Sequence, residues 1–195
     1  AARQYDIMAA VYSGSYRYYH NLEHVGYCLR LLTEVEQPLL YRDAMELAIW
    51  FHDLVYLPGF PYNEELSSAV AHSFILELTG NHLLAEKARE LIMVTKHDRA
   101  LTAADSLEAQ YMADIDLAVL GESFERYACY ERAIRQEYGY LSDEQYCYGR
   151  RQVLTGLLNR PYIYATLKFR QKFEAAARRN ILHTMAQMEQ VNNLC

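Results

Sequence analysis

The sequence DAMELAIWFHDLVYLPGFP occupies residues 43–61 and combines a long apolar stretch with an abrupt break. Apolar side chains at helical spacing predict a helix from about residue 43 to residue 56. Segment 57–61, rich in proline and glycine, cannot continue that helix and ends it. His52 and Asp53 lie at the end of the apolar stretch, where each polar group would need a partner if it were buried.

The rest of the chain is also dominated by helical patterns. It contains only four prolines and eight glycines among 195 residues, and strand-like alternation is scarce. Helical periodicity predicts further helices at about 21–36, 63–79, 82–97, 103–119, 122–139, 142–159 and 165–190. A chain of this length can bury one full hydrophobic core. We therefore predict an all-α fold, a single-domain multi-helix bundle over residues 1–195.

Composition and charge exclude several classes of partner. The chain is 52% hydrophobic with a formal net charge of -6, and no Lys/Arg run predicts binding to polymeric nucleic acid. Apolar stretches are shorter than the roughly 20 residues that span a bilayer, and the first residues lack a signal-peptide pattern. Widely spaced cysteines favour a reduced, cytoplasmic protein. They are Cys28, Cys129, Cys147 and Cys195.

Histidine and aspartate concentrate in a few short segments. On one helix, His20 and His24 would share a face because they are four residues apart. Imidazole and carboxylate groups together form a mixed N/O donor set, which suits Mn, Mg, Fe, Ni, Co or Zn and can leave positions open for water and substrate. The segments contain His20 and His24, His52 and Asp53, His97, and Asp114 and Asp116.

Each of these residues also has a purely structural interpretation. A single histidine on an apolar helix face is more often a hydrogen-bonded core residue than a metal ligand. His72 fits that description, whereas His82 and His183 are expected at the surface or at helix caps. Asp114 and Asp116 could be solvated carboxylates before Gly121. The joint occurrence of several such elements favours a site.

The order of these groups resembles the HD superfamily of metal-dependent phosphohydrolases. In that superfamily, a His is followed by a His-Asp dyad and, after a further helical stretch, by another Asp. In this sequence the dyad begins about 28 residues after the first His. Several segments also resemble, in the same order, a bacterial family of predicted HD phosphohydrolases. These are YRYYHNLEHV (16–25), AIWFHDLVY (48–56), NEELSSA (63–69), IMVTKHD (92–98), DIDLAVLG (114–121), IRQEYGYL (134–141) and LLNRPYIYAT (157–166).

The resemblance implies a divalent metal held by four side chains. The implied ligands are His24, His52, Asp53 and Asp116, with Asp114 as the alternative to the last. His20 would face the substrate or a second metal and His97 the substrate phosphate, or either would orient a ligand. Tyr62 departs from the family, which more often has an acidic residue there, and this departure puts a lid role for loop 57–61 in doubt.

Metal-activated water suggests how such a site would hydrolyse a phosphate ester. Asp53 could accept the proton of that water while it binds the metal, and Glu64 or Glu65 is a candidate general base. Glu64 and Glu65 are explained equally well as acidic groups at a helix start, after a capping Asn63. Arg17, Lys96 and His97 could neutralise phosphate charge.

The expected function is hydrolysis of a small phosphate ester or anhydride, with a nucleotide as one candidate. A second interpretation is a non-catalytic helical protein that binds a nucleotide or metal. A third is a zinc peptidase, since residues 20–24 spell H-x-x-E-H with Glu23 as its base. In the non-catalytic interpretation, Tyr127, Tyr130 and Tyr138 could form a binding surface, although packing between helices is the expected role of these tyrosines. A homodimer through a tyrosine-rich helix is a further expectation.

Overall fold

The computed structural model describes the backbone of residues 2–192 and the side chains of residues 6–189. The described part is helical and contains no strand, which confirms the predicted all-α fold. The α-helices are α1 Ala2–Tyr12, α2 Leu22–Thr33, α3 Arg42–Phe51, α4 Asn63–Thr79, α5 His82–Val94, α6 Leu107–Asp116, α7 Phe124–Glu137, α8 Asp143–Leu158, α9 Leu167–Phe169 and α10 Ala175–Asn192. A 3-10 helix, Leu117–Gly121, follows α6, and a π-helical turn, Arg170–Glu174, joins α9 to α10.

Helix α3 lies at the centre of the bundle, in contact with α2, α4, α5 and α6. Its Ile49, Ile75 of α4, Ile92 of α5 and Met112 of α6 are all buried in one core. The same core extends from Tyr12 at the end of α1 to α10. The polar side chains at the ends of α3 and α6 are therefore held by a rigid, close-packed surrounding.

Several helices, α2, α3, α5 and α6, end earlier than the sequence predicts. Helix α3 ends at Phe51 rather than near residue 56, and α5 ends at Val94 rather than near residue 97. Beyond Phe51, side chains from the N-terminal segment take the place of helical hydrogen bonds. The Tyr12 hydroxyl donates to the Trp50 carbonyl at 2.9 Å, and the Arg17 guanidinium donates to two carbonyls of the following turn at 2.7 and 2.8 Å. His52 and Asp53 thus leave the helix at its end.

Some helix boundaries agree with the prediction, and others are shifted by capping residues. Helix α4 spans residues 63–79 as predicted, and Ser142 caps α8 in a capping box with Gln145. Helix α6 begins at Leu107, not near 103, because Ser106 is its cap. Helix α1 was not predicted, since its weak apolar periodicity gives no clear signal. It is fixed at its end by buried Tyr12.

The loop 57–61 is fastened to the body of the protein. Asn63, expected as a cap, lies inside α4 and exchanges two hydrogen bonds with the backbone of Leu57, at 3.0 and 2.9 Å. Gly59 has a φ of 78°, in the left-handed region that favours glycine, and its N–H donates to the Tyr138 hydroxyl at 3.2 Å. These contacts fix the start of α4, and with it Glu64.

The structure also bears on the predictions about membranes and cysteines. Among the described residues, no helix combines the length and the apolarity that crossing a bilayer requires. Cys28, Cys129 and Cys147 have free thiols, and Cys195 lies outside the described residues. Tyr127 is buried and Tyr130 packs against the same core, so these two residues of α7 contribute to helix packing.

Candidate metal centre

Two imidazoles and two carboxylates meet at the junction of α2, α3 and α6. His24 lies in the first turn of α2, His52 and Asp53 follow the end of α3, and Asp116 is the last residue of α6. His24 Nε2 lies 3.1 Å from both His52 Nε2 and Asp116 Oδ1. His52 Nε2 lies 3.0 Å from Asp53 Oδ2. The four predicted metal ligands therefore lie side by side.

The separations suit a single cation. The other two histidine–carboxylate pairs, His24 Nε2 to Asp53 Oδ2 and His52 Nε2 to Asp116 Oδ1, are 3.6 and 3.5 Å apart. Ligand atoms bound about 2.1 Å from one ion lie about 3.0 Å apart at right angles and about 3.4 Å apart in a tetrahedron. Asp53 Oδ2 is buried and, despite its closeness to His52, has no hydrogen-bond partner among the residues that the structure describes. Such an orphaned oxygen is explained by a cation, so the residues fit a divalent metal.

Hydrogen bonding selects the ring nitrogen that His52 offers. Its Nδ1 lies 2.9 Å from the Ile49 carbonyl, which can only accept, so Nδ1 carries the proton and Nε2 is left for a metal. Cys28, one turn after His24, is buried with its Sγ 3.8 Å from the His24 ring nitrogens. With His24 and Asp116 it forms an alternative group of donors, whose thiolate would favour zinc.

The two carboxylates are held in the ionised form that metal binding needs. Burial by itself would raise the pKa of Asp53, but the imidazoles of His52 and His20 outweigh it and lower this pKa. Burial likewise acts against ionisation of Asp116, whose pKa is nevertheless held well below its usual range by the neighbouring imidazoles of His24, His52 and His97. The cluster thus combines two negatively charged carboxylates with imidazoles that can bind a metal in their neutral form.

His97 reaches the same carboxylate from beyond the end of α5. His97 was expected on a helix, but it lies three residues after Val94, the last residue of α5. Its φ of 52° is uncommon for a residue other than glycine. Its Nε2 lies 2.8 Å from Asp116 Oδ2. Arg160 Nη2 donates to its carbonyl and helps to hold this strained backbone. His97 is therefore placed to orient Asp116.

His20 also lies outside a helix, contrary to the expectation that it shares a helix face with His24. It belongs to the turn before α2, whose cap is Asn21. Its ring stacks on Tyr56 with 4.0 Å between centroids, and its Nδ1 lies 2.6 Å from Glu137 Oε2. A carboxylate only accepts, so Nδ1–H donates and Nε2 is the nitrogen left for other contacts.

Glu137 is a residue of the site that the sequence analysis did not identify. Its buried carboxylate accepts hydrogen bonds from the N–H groups of Tyr19 and His20, the His20 ring and the Tyr56 hydroxyl. Burial raises its pKa, but the hydrogen bond and charge of His20 outweigh burial and the pKa is lowered. The only available signal was its place in segment 134–141, which carries the family resemblance but assigns it no role.

A polar cavity of about 190 Å³ opens beside the cluster. His20, His97 and Glu64 line it together with Asp53 and Asp116. Glu64 is half-buried, and burial raises its pKa, with the charge of Asp53 acting in the same direction. The structure therefore brings the predicted catalytic residues to one cavity.

The cation that lines this cavity differs from the cations expected. Arg17 is occupied with backbone carbonyls near the end of α3, and Lys96 pairs with Glu65. Arg150 of α8 lines the cavity instead, held by Glu131 at 2.7 Å. Composition does not distinguish Arg150, because α8 carries several other charged residues.

Asp114 and Asp116, the two candidates for the last metal ligand, have different surroundings in the structure. Asp114 is buried away from the cluster and accepts hydrogen bonds from Ala165 N, Thr166 N and the Thr166 hydroxyl at 2.6 to 2.8 Å. Burial raises its pKa to about 6, although these hydrogen bonds act in the opposite direction. Asp114 fastens segment 165–166 to α6, whereas Asp116 faces the histidines.

We expect Asp114→Asn to reduce stability without affecting metal content, and Asp116→Asn to reduce metal content. An amide at position 114 keeps one acceptor and leaves a buried donor unpaired, so unfolding free energy should fall by about 1–3 kcal/mol while metal content stays unchanged. The Asp116→Asn variant should lose metal. Denaturant titration and elemental analysis of both variants test this expectation. The reverse pattern, with metal lost from Asp114→Asn alone, would make Asp114 the ligand.

The geometry does not favour the zinc-peptidase interpretation. His20 lies before α2 and its ring centroid is 6.1 Å from that of His24, so the two do not form a helical pair. Glu23, the base in that scheme, is exposed. The H-x-x-E-H pattern thus does not place both histidines on one helix, and its glutamate points to solvent.

Fold and site together define an all-helical protein with a histidine and aspartate cluster, compatible with a divalent metal, at a polar cavity. Comparison with protein-family models, curated proteins and solved structures finds no match for this chain. The resemblance to HD phosphohydrolases therefore stays a prediction from the sequence.

Proposed function

We propose that this protein is a metal-dependent phosphohydrolase that acts on a small phosphate ester or anhydride. The convergence of two carboxylates on two imidazoles carries this proposal, since Asp53 and Asp116 each lie 3.0 to 3.6 Å from both His24 Nε2 and His52 Nε2. A bound divalent cation would supply a Lewis acid and a nucleophilic water at neutral pH. The orphaned oxygen of Asp53 supports the presence of that cation.

The surrounding residues supply the rest of the chemistry that the proposal needs. Arg150, partly buried and charged, offers positive charge to a phosphate, and His20 presents the nitrogen that Glu137 does not occupy. Glu64 is a carboxylate at the cavity whose raised pKa suits a group that accepts or returns a proton. His97 orients Asp116.

The size of the cavity limits the substrate. Pockets for small molecules usually measure about 300–1,000 Å³. A volume of about 190 Å³ accommodates the reacting phosphoryl group and little more. If the substrate is a nucleotide, its base and sugar would extend beyond this cavity.

The test is a phosphate-release screen with protein stripped of metal and then reloaded with Mn, Mg, Fe, Ni, Co or Zn. The panel contains phosphate monoesters, nucleoside mono-, di- and triphosphates and inorganic pyrophosphate. We expect release only from the reloaded protein, and its loss again on chelation. Metal-loaded protein that binds a nucleotide without releasing phosphate would instead favour the non-catalytic interpretation.

A further inference from the structure

Tyr19 is held rigidly at the boundary of the cavity. Its ring centroid lies 4.7 Å from that of His24, 5.1 Å from that of His20 and 4.6 Å from that of Tyr130. Its backbone N–H donates to Glu137 Oε1 at 2.7 Å. The side chain is thus confined on several sides by aromatic rings, and its backbone is fixed by a buried carboxylate.

The Tyr19 hydroxyl has no partner within the described residues, although its oxygen is buried. The neighbouring Tyr130 hydroxyl, by contrast, accepts a hydrogen bond from Arg150 at 2.9 Å. Burying an unpaired hydroxyl costs free energy that a phenylalanine of nearly the same shape avoids. The unpaired hydroxyl is therefore explained best by a partner that arrives with a ligand.

The surroundings determine which partner this hydroxyl can take. A phenol keeps its proton at neutral pH, since its ordinary pKa is about 10, so this hydroxyl can donate a hydrogen bond. Tyr19 lines the cavity together with His20, His97 and Asp116. A neutral donor beside a cation site is suited to an anionic oxygen.

We infer that the Tyr19 hydroxyl donates a hydrogen bond to a phosphoryl oxygen of the bound substrate, which makes Tyr19 a substrate-binding residue of the proposed hydrolase. This inference rests on the proposed function. It also assigns to the tyrosine before His20 a role that neither the residue pattern nor the family resemblance provided.

The variant Tyr19→Phe tests the inference because it removes only the hydroxyl. Tyr146→Phe is a matched control. The Tyr146 hydroxyl is also buried with no partner in the described part of the chain, but Tyr146 does not line the cavity. For both variants and the wild type, we would measure metal content, melting temperature, phosphate release and the dissociation constant of inorganic phosphate for the metal-loaded protein.

In Tyr19→Phe, we expect full metal content, an unchanged or higher melting temperature and phosphate binding about 10- to 100-fold weaker, the loss typical of a hydrogen bond to a charged group. Tyr146→Phe should bind phosphate like the wild type. Unchanged phosphate binding in Tyr19→Phe would overturn the inference. Loss of metal in that variant would also overturn it, because the hydroxyl would then support the metal cluster.

The outcomes separate this inference from the proposed function. Wild-type turnover that Tyr19→Phe leaves unchanged would reject the role of Tyr19 alone. Wild-type protein that binds phosphate through Tyr19 but releases none from any substrate would reject hydrolysis alone. Metal-loaded wild type that neither binds nor releases phosphate would reject both.

Discussion

Protein purified without chelator is expected to contain about one divalent metal ion per chain, and the double variant His52→Ala/Asp53→Ala is expected to contain none. The substitutions remove two of four converging donors, one of them the oxygen that has no other partner. Changes to residues that only orient metal ligands lower metal affinity by about 10- to 100-fold. Removal of two ligands should therefore lower it by more than about 100-fold. Elemental analysis of both proteins measures this directly, and phosphate release should fall to background.

A second double variant serves as the control. His72→Ala/Glu86→Ala also removes a histidine and a carboxylate that lie close together, at 3.8 Å, but this pair is half-exposed and lies outside the cavity. It should keep its metal and its activity. If His52→Ala/Asp53→Ala retained metal, the proposed centre would be wrong. Subsequent loss on Cys28→Ser would then assign the metal to the group formed by His24, Cys28 and Asp116.

Sequence patterns predicted most of the helices because an amphipathic helix depends on local periodicity. Helix α4 begins and ends where its pattern does. The ends of α3 and α5 were not predictable in the same way. At the end of α3, Tyr12 binds the Trp50 carbonyl and Arg17 binds two carbonyls of the turn that follows the helix. Both residues lie nearly 40 positions away in the sequence, so no local pattern contains that information.

The site residues that the sequence predicts differ from those it misses in the composition of the surrounding sequence. His24, His52 and Asp116 belong to short segments with unusual composition, and these segments lie together in the fold. Glu137 and Arg150 lie in helices that carry many other charges, so composition does not distinguish them. Their importance arises from tertiary contacts, with His20 for Glu137 and with the cavity for Arg150.

Glu137→Gln is expected to lower phosphate release by about 10- to 100-fold while metal content stays unchanged, the size of effect typical of residues that orient a ligand or catalytic group. Glutamine retains one acceptor oxygen where four hydrogen bonds now converge on two. The amide nitrogen would then face donors, so unfolding free energy should also fall by about 1–3 kcal/mol for each buried donor left unpaired.

The loss of activity must be separated from the loss of stability. Glu174→Gln is the matched control, because Glu174 also accepts backbone N–H groups, those of Ile163 and Tyr164, and pairs with Arg178, yet it does not line the cavity. Its substitution should lower stability and leave phosphate release unchanged. Equal losses of activity in both variants would show that Glu137 acts only through stability.

A double-mutant cycle with His20→Ala tests whether Glu137 acts through His20. If Glu137 only orients the His20 ring, adding Glu137→Gln to His20→Ala should cost no further activity, although it should still reduce stability. Fully additive losses would contradict this role. The cycle isolates the 2.6 Å hydrogen bond between the Glu137 carboxylate and His20 Nδ1 from the other bonds that the same carboxylate accepts. Those bonds, to the N–H groups of Tyr19 and His20 and to the Tyr56 hydroxyl, remain possible when the imidazole is absent.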